Sequence, residues 1–453
     1  MANVKVLLWF DVEDYITPES EEALLGLLNL LDSRGIKGIF KLVGEKARRL
    51  EEHKRLDILT KLSAHEVGYH TDYHSQHPTL SEYLEHVGFR EGADEFAEQE
   101  RAGLDDVRRI TGKPILSYGQ PGGAWAAQVF PVLKQWDIPV YMDSHDQITL
   151  DGKPFWYGGI LNITHMYGTM RMELVDGGLD EAKKKFDDLY ASQSSESVGF
   201  VSIFYHPCEF VTTDFWDSCN FERGKNTPRE QWRTPPLRQP AEMEHYLGQL
   251  GAFLDYTMTK ENVEYITTAD ALRLESSASD RFEAEDVRVM AAQVGEKLYF
   301  TVRGNSSLSA SDLLSLFIRY TRGEELRTDF VYGPERHVVS DTKNAVKVSD
   351  VKSALATDYS TVCGYKQWPD YFTIAQQRVN PVDMACTLAR IIAHDLQDDD
   401  ELSIVEGNLA SQMHAKDNAD WGAKWIIFPE PFKVPNLIDQ SKLQTWTLKP
   451  ALF

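Results

Sequence analysis

Three short stretches carry residue types and spacings suited to chemistry. FDVED places Asp11, Glu13 and Asp14 directly behind the apolar run Val4–Phe10. GYHTDYH places His70 and His74 four residues apart. That spacing sets two imidazoles on one face of a helix or helical turn, and it suits a two-histidine site for a divalent metal. FYHP places His206 directly behind the apolar run GFVSIFY. Carboxylates and histidines held together can act as base, acid and metal ligands. Each stretch has a plainer reading: an acidic strand end capping a helix, two surface histidines, a satisfied core histidine. Their shared placement is more specific, because sites in parallel α/β folds form where strands end.

Two further strand ends belong to this pattern. YGQPGG (Tyr118–Gly123), with Trp125 after it, is a glycine-rich loop behind Ile115–Tyr118. It lacks the GxxxxGK[ST] and GxGxxG spacings, so it is no phosphate cradle. MDSHD supplies Asp143 and Asp146. There is no GxSxG elbow, which argues against that kind of serine hydrolase.

The elements needed to position these residues are legible. Val4–Phe10 reads as a strand buried on both faces. Thr17-Pro18 opens a helix in which Leu24, Leu27, Leu28 and Leu31 repeat at helical spacing, and Gly35 closes it. Gly38–Val43 is the next strand, completing a βαβ unit. The rhythm continues through a helix over Ala93–Thr111, strand-like runs at Ile115–Tyr118, Pro139–Met142, Gly199–Tyr205 and Glu264–Thr267, and a helix over Glu242–Thr257. The small polar run Glu275–Asp280 marks a boundary, giving a barrel over 1–275 and an α+β domain over 281–453. In the second unit a hairpin is expected over Val287–Val302 around Gly295. A helix is expected from Asn380-Pro381 with Met384, Leu388, Ile391 and Ile392 on one face, and a strand at Trp425–Phe428.

Composition narrows the partners. A chain of 453 residues with 42% apolar residues can build a real core. Its net charge of −23 repels phosphate backbones, so nucleic acid is not an expected partner. There is no secretory leader pattern and no 18-residue apolar run, so no membrane span is expected and the expected location is cytoplasmic. Cys208, Cys219, Cys363 and Cys386 are widely spaced and are read as reduced thiols.

The ordered series of acids, HxxxH, glycine-rich turn, acids and late histidine resembles the polysaccharide deacetylase (NodB homology) family, carbohydrate esterase family 4, over most of residues 1–272. FDVED looks like its first motif, GYHTDYH like its metal motif, YGQPGGAW like its third, FYHP like its late histidine motif and TTADALRL like its closing segment. The resemblance implies a distorted (β/α)7-type barrel that hydrolyses an N-acetyl amide on an amino sugar or glycan precursor. It implies Asp11 as general base and His206 as general acid. It implies His70 and His74 as ligands of a divalent metal, zinc, with a carboxylate as third ligand. Strand alternation favours Glu13 over Asp14 for that place. Gln120, Pro121, Gly122 and Trp125 would then bind substrate, with backbone N–H groups near Gly122-Gly123 facing the oxyanion.

Two departures bear on the activity. The family's third motif carries an arginine that orients the base, and this chain has Gly119 there. Arg223, Arg229, Arg233 and Arg238, in the insertion after His206, are the candidate replacements. That insertion also carries Phe215, Trp216, Phe221 and Trp232, which suit either sugar stacking or a packed loop. The first motif also lacks a second acid directly after Asp11, where Val12 stands, as in branches that act on lipid-linked sugars or on non-sugar amides. The rival readings are therefore an allantoinase-like or imidase-like hydrolase, and a catalytically silent glycan-binding protein.

Overall fold

The computed structural model describes residues 3–276, 280–341, 344–356 and 359–453. Strand β1 (Asn3–Val12) is buried from Val4 to its end. Its side chains alternate between two apolar clusters. Val4, Val6, Leu8 and Phe10 pack with Leu24, Leu27, Leu28 and Leu31 of the helix Glu19–Asp32. Leu7 and Trp9 point the other way, to Ile39, Val140, Met142 and Ile163. A parallel sheet covered by helices and curled on itself needs strands that are apolar on both faces.

The strands that follow are β2 (Ile39–Leu42), β3 (Glu66–Tyr69), β4 (Ile115–Tyr118), β5 (Val140–Asp143), β6 (Phe155–Tyr157), β7 (Ile160–Thr164), β8 (Thr169–Met170), β9 (Val198–Tyr205) and β10 (Val263–Ile266). They form one sheet in the order β6-β7-β5-β4-β3-β2-β1-β9-β8. From β7 to β9 the seven strands are parallel. Strand β1 pairs with β9 along Asn3–Phe10, with β10 along Val4–Leu7 and with β2 along Trp9–Val12. One edge of β1 thus passes from β10 to β2 partway along. The architecture is the expected α/β one, a distorted (β/α)7-type barrel.

Strand parity delivers the chemistry. On β1, Asp11 follows Leu7 and Trp9 inward, and Glu13 continues that row past the strand end. On β2, Lys41 lies between the outward Phe40 and Leu42. On β3, Val67 and Tyr69 face the helices, so His70 falls on the inner side. On β9, Val201, Ile203 and Tyr205 face the helices while Phe200 and Phe204 face inward, and His206 continues their row.

Three expectations differ from the structure. Val287–Val302 is not a hairpin: Ala284–Val294 is a helix, because Val287, Met290, Ala291 and Val294 share one buried face. Gly295, at φ +53°, ends it. Trp425–Phe428 is a turn rather than a strand, with Phe428 N–H donating to Trp425 O at 3.1 Å. The stretch His70–His74 is a loop, with Thr71 and His74 at positive φ.

The helix Pro381–Ala393 forms as expected, with Asn380 capping Asp383 N–H and Met384, Leu388, Ile391 and Ile392 buried. Ser277–Ser279 of the expected linker lie outside the described residues. Beyond the linker a second cluster gathers the helices Ala284–Val294, Ala310–Arg322 and Pro381–Ala393. The chain then returns to the barrel. Trp421, Phe428, Val434, Leu437 and Leu448 join the barrel's core cluster, and Lys449–Pro450 pairs with β6. Among the described residues no helix is long and apolar enough to cross a membrane.

Candidate active site

Glu13, His70 and His74 converge at the strand ends. Glu13 Oε2 lies 3.0 Å from His70 Nε2 and 2.9 Å from His74 Nε2, and all three residues are buried. The far nitrogens fix the rings. His70 Nδ1–H donates to Gly119 O at 3.0 Å. His74 Nδ1–H donates to Ser75 Oγ at 2.6 Å, and that hydroxyl in turn donates to Asp217 Oδ2 at 2.7 Å. This network assigns each neutral ring its lone pair on Nε2, facing a carboxylate. Two lone pairs against one anion repel in a buried site, and a cation between them removes the repulsion. His74 Nε2 also makes no hydrogen bond of good geometry. Trp216 Nε1–H fixes the other carboxylate oxygen, donating to Glu13 Oε1 at 2.8 Å.

Asp14 stands apart from this trio. Its Oδ1 accepts from Ile16 N–H and Thr17 N–H, both at 2.9 Å, so it shapes the turn into the first helix.

Asp11 lies beside the trio. Its Oδ1 is 2.8 Å from Lys41 Nζ and its Oδ2 is 3.6 Å from His206 Nε2. Lys41 is fully buried, over the Trp9 ring at 4.1 Å, and it also reaches Met142 O at 2.9 Å and Asp143 Oδ2 at 3.4 Å. The space it uses is the space Gly119 leaves empty, since a Cβ at Gly119 would fall 2.2 Å from Lys41 Nζ. The cation beside Asp11 therefore comes from β2. Of the four candidate arginines, Arg223 pairs with Glu430 and Arg229 with Glu45. Arg233 donates to Cys219 O and Arg238 to Glu209 O. They serve the insertion rather than the base.

His206 Nδ1 lies 3.2 Å from Glu209 Oε2, and Glu209 is held by Arg171 at 2.8 Å. Burial would lower the His206 pKa, but Glu209, Glu13 and Asp11 outweigh it and push it up to about 9.

Asp11, Glu13, His70, His74 and His206 line a cavity of about 410 Å³ together with Trp9, Phe204, Phe215 and Trp425. Gln120 and Gly122 line it too, and Gln120 donates to Asp143 Oδ1 at 3.0 Å while accepting from Tyr141 O–H at 2.7 Å. Pro121 instead lines a neighbouring cavity with Thr71, Asp72, His77 and Leu80. Trp125 is a core residue, packed on Phe130, Tyr157 and His145. Sequence reasoning missed Lys41, Trp425, Asp217 and Glu209. Only Lys41 left a signal, a lone charge inside the apolar run GIFKLV, since a buried lysine needs a partner.

No family matches the chain in sequence, and no curated protein does. Three solved structures lie beside it in a structural comparison. A Mycobacterium smegmatis protein named as a polysaccharide deacetylase has 13% identity and a TM-score of 0.41, with 62% of this chain and 95% of that one aligned. The Puue allantoinase has 15% identity and a TM-score of 0.39, over 60% and 89%. A Pseudomonas aeruginosa PAO1 protein named as a polysaccharide deacetylase has 15% identity and a TM-score of 0.40, over 60% and 90%. Likeness at this level assigns the chain no activity.

Proposed function

We propose that the chain is a metal-dependent amide hydrolase that removes an N-acetyl group from an amino sugar or glycan precursor. The observation that carries this reading is the convergence of Glu13, His70 and His74 beside Asp11 and His206. Two imidazole nitrogens and one carboxylate oxygen are a zinc-type donor set that leaves a position open. The two facing Nε2 lone pairs and the poorly satisfied His74 Nε2 fit a cation there. When bound, such an ion supplies a Lewis acid that polarises the amide carbonyl.

The remaining roles belong to the chain. Asp11 is the base. Lys41 holds its Oδ1, so its Oδ2 faces the cavity and takes a proton from the attacking water. Water oxygen bonds to the carbonyl carbon, the C–N bond breaks, and His206 gives its proton to the departing nitrogen. Acetic acid and an amine result, and the proton taken by Asp11 replaces the one His206 gave up. A pKa of about 9 keeps His206 protonated at neutral pH, as an acid requires. Phe215 and Trp425, which also line the cavity, offer aromatic surface to a sugar. Lys41 in the place of the absent arginine supports an active enzyme over a silent binding protein.

Acetate release from N-acetylglucosamine and its derivatives, with zinc or cobalt supplied, tests the reading. Release that disappears in Asp11→Asn is expected. Turnover of allantoin or cyclic imides alone would move the substrate to the non-sugar amides, and no hydrolysis at all would favour a binding role.

A further inference from the structure

A site that works along a polymer needs an open groove across the strand ends, so that the chain can leave on both sides. Here one side is walled. The insertion after β9 (residues 207–239) and the turn at 421–430, far apart in sequence, are joined above His74. Arg223 N–H donates to Ile426 O and Gly224 N–H to Ile427 O, both at 3.0 Å. Arg223 Nη1–H donates to Gly422 O at 2.8 Å, and the same guanidinium pairs with Glu430 at 2.8 Å. Apolar packing seals the join, with Ile427, Trp216, Phe221 and Tyr15 in one buried cluster against which Trp425 and Trp232 pack.

The wall reaches the proposed metal ligands. Trp216 and Trp425 flank the His74 ring, with centroids 5.6 and 5.4 Å away. Trp425 also lies on Gly122, where a Cβ would fall 2.2 Å from the indole. The loop after β3 is tied into the same wall, since His77 Nε2 meets Phe221 O and Asn226 donates to His77 O, both at 2.9 Å. What remains is a pocket of about 410 Å³, at the small-molecule end of ligand sites.

From this geometry we infer that the site takes its substrate end-on. It accepts a single N-acylated sugar or the terminal residue of a short glycan, and it excludes internal residues of a polymer. The inference rests on the amide-hydrolase reading above. The wall specifies the class, because a chain occupying the pocket has nowhere to continue past His74.

The test uses the zinc-loaded full chain and N-acetylglucosamine oligomers from monomer to hexamer, with products mapped by mass spectrometry. Deacetylation confined to one terminal residue is expected, with apparent affinity flat within about threefold from dimer to hexamer because added units touch nothing. Internal deacetylation, or affinity rising with every added unit, would overturn the inference. Trp425→Ala is expected to admit internal residues, about tenfold or more relative to the parent. The wall is read independently by hydrogen exchange at the Arg223 and Gly224 amides. Fast exchange at both would overturn the wall and the inference with it. Slow exchange with no oligomer turned over would uphold the wall but discard the amino-sugar reading, and with it the substrate class inferred here.

Discussion

Lys41 Nζ lies 2.8 Å from Asp11 Oδ1, inside the barrel and out of reach of solvent. The pair joins the second strand to the proposed base, and Asp143 completes the group from β5. Lys41→Met would leave two carboxylates buried without their cation. Breaking a buried pair in this way costs about 3–5 kcal/mol. The variant should unfold at clearly lower denaturant, and Asp143→Asn on top of it should restore part of the loss. Equal midpoints for Lys41→Met and the parent would show that the pair does not hold the strand ends together.

Gly119→Ala probes the same group from the other side. The added methyl would meet Lys41 Nζ at 2.2 Å and Asp143 Oδ2 at 3.0 Å, so the lysine must move. A misplaced base costs about 10²-fold in rate. The expected signature is a fall in kcat with the fold kept, as judged by circular dichroism. Unchanged kcat would mean that the position of Lys41 does not matter to Asp11.

Trp216→Phe removes one hydrogen bond, the indole N–H to Glu13 Oε1 at 2.8 Å. Groups that orient a ligand in this way are worth about 10–100-fold in metal affinity. Zinc titration against a chelating dye should show that weakening. An affinity equal to the parent's would count against Glu13 as a ligand.

The acid role makes a pH prediction. Burial pulls the His206 pKa down, while Glu209, Glu13 and Asp11 push it up to about 9. A proton donor works only while protonated, so activity should persist into alkaline solution and fall as pH rises through about 9. Glu209→Gln removes the carboxylate that raises it most, and the fall should move to lower pH. A pH–rate profile in which Glu209→Gln leaves that limb in place would rule out His206 as the titrating acid.

The barrel and most of the site were legible in sequence because both follow from parity. An apolar run ending in an acid or a histidine states which way that side chain points. The residues that escaped notice depend on contacts between distant segments. Lys41 acquires its meaning from Gly119 and Asp143, on strands that become its neighbours only in the folded sheet. The helix or helical turn expected over His70–His74 fails for a similar reason. Gly44 N–H and Glu45 N–H donate to Thr71 O and Asp72 O, both at 2.9 Å, so the loop's carbonyls cap the helix Gly44–Glu52. Glu100 Oε2 also accepts from Asp72 N–H at 2.7 Å. These bonds draw the backbone out of a helical path, and spacing alone does not reveal them. Trp425 was invisible as a site residue because its segment comes back to the barrel from beyond the second cluster.

The central claim is that Glu13, His70 and His74 hold a divalent ion. Zinc content per chain after loading and dialysis, compared with a His70→Ala/His74→Ala double variant, addresses it most directly. The account predicts about one zinc per chain in the parent and none in the double variant. A parent chain that takes up no zinc, or a double variant that keeps it, would contradict the account.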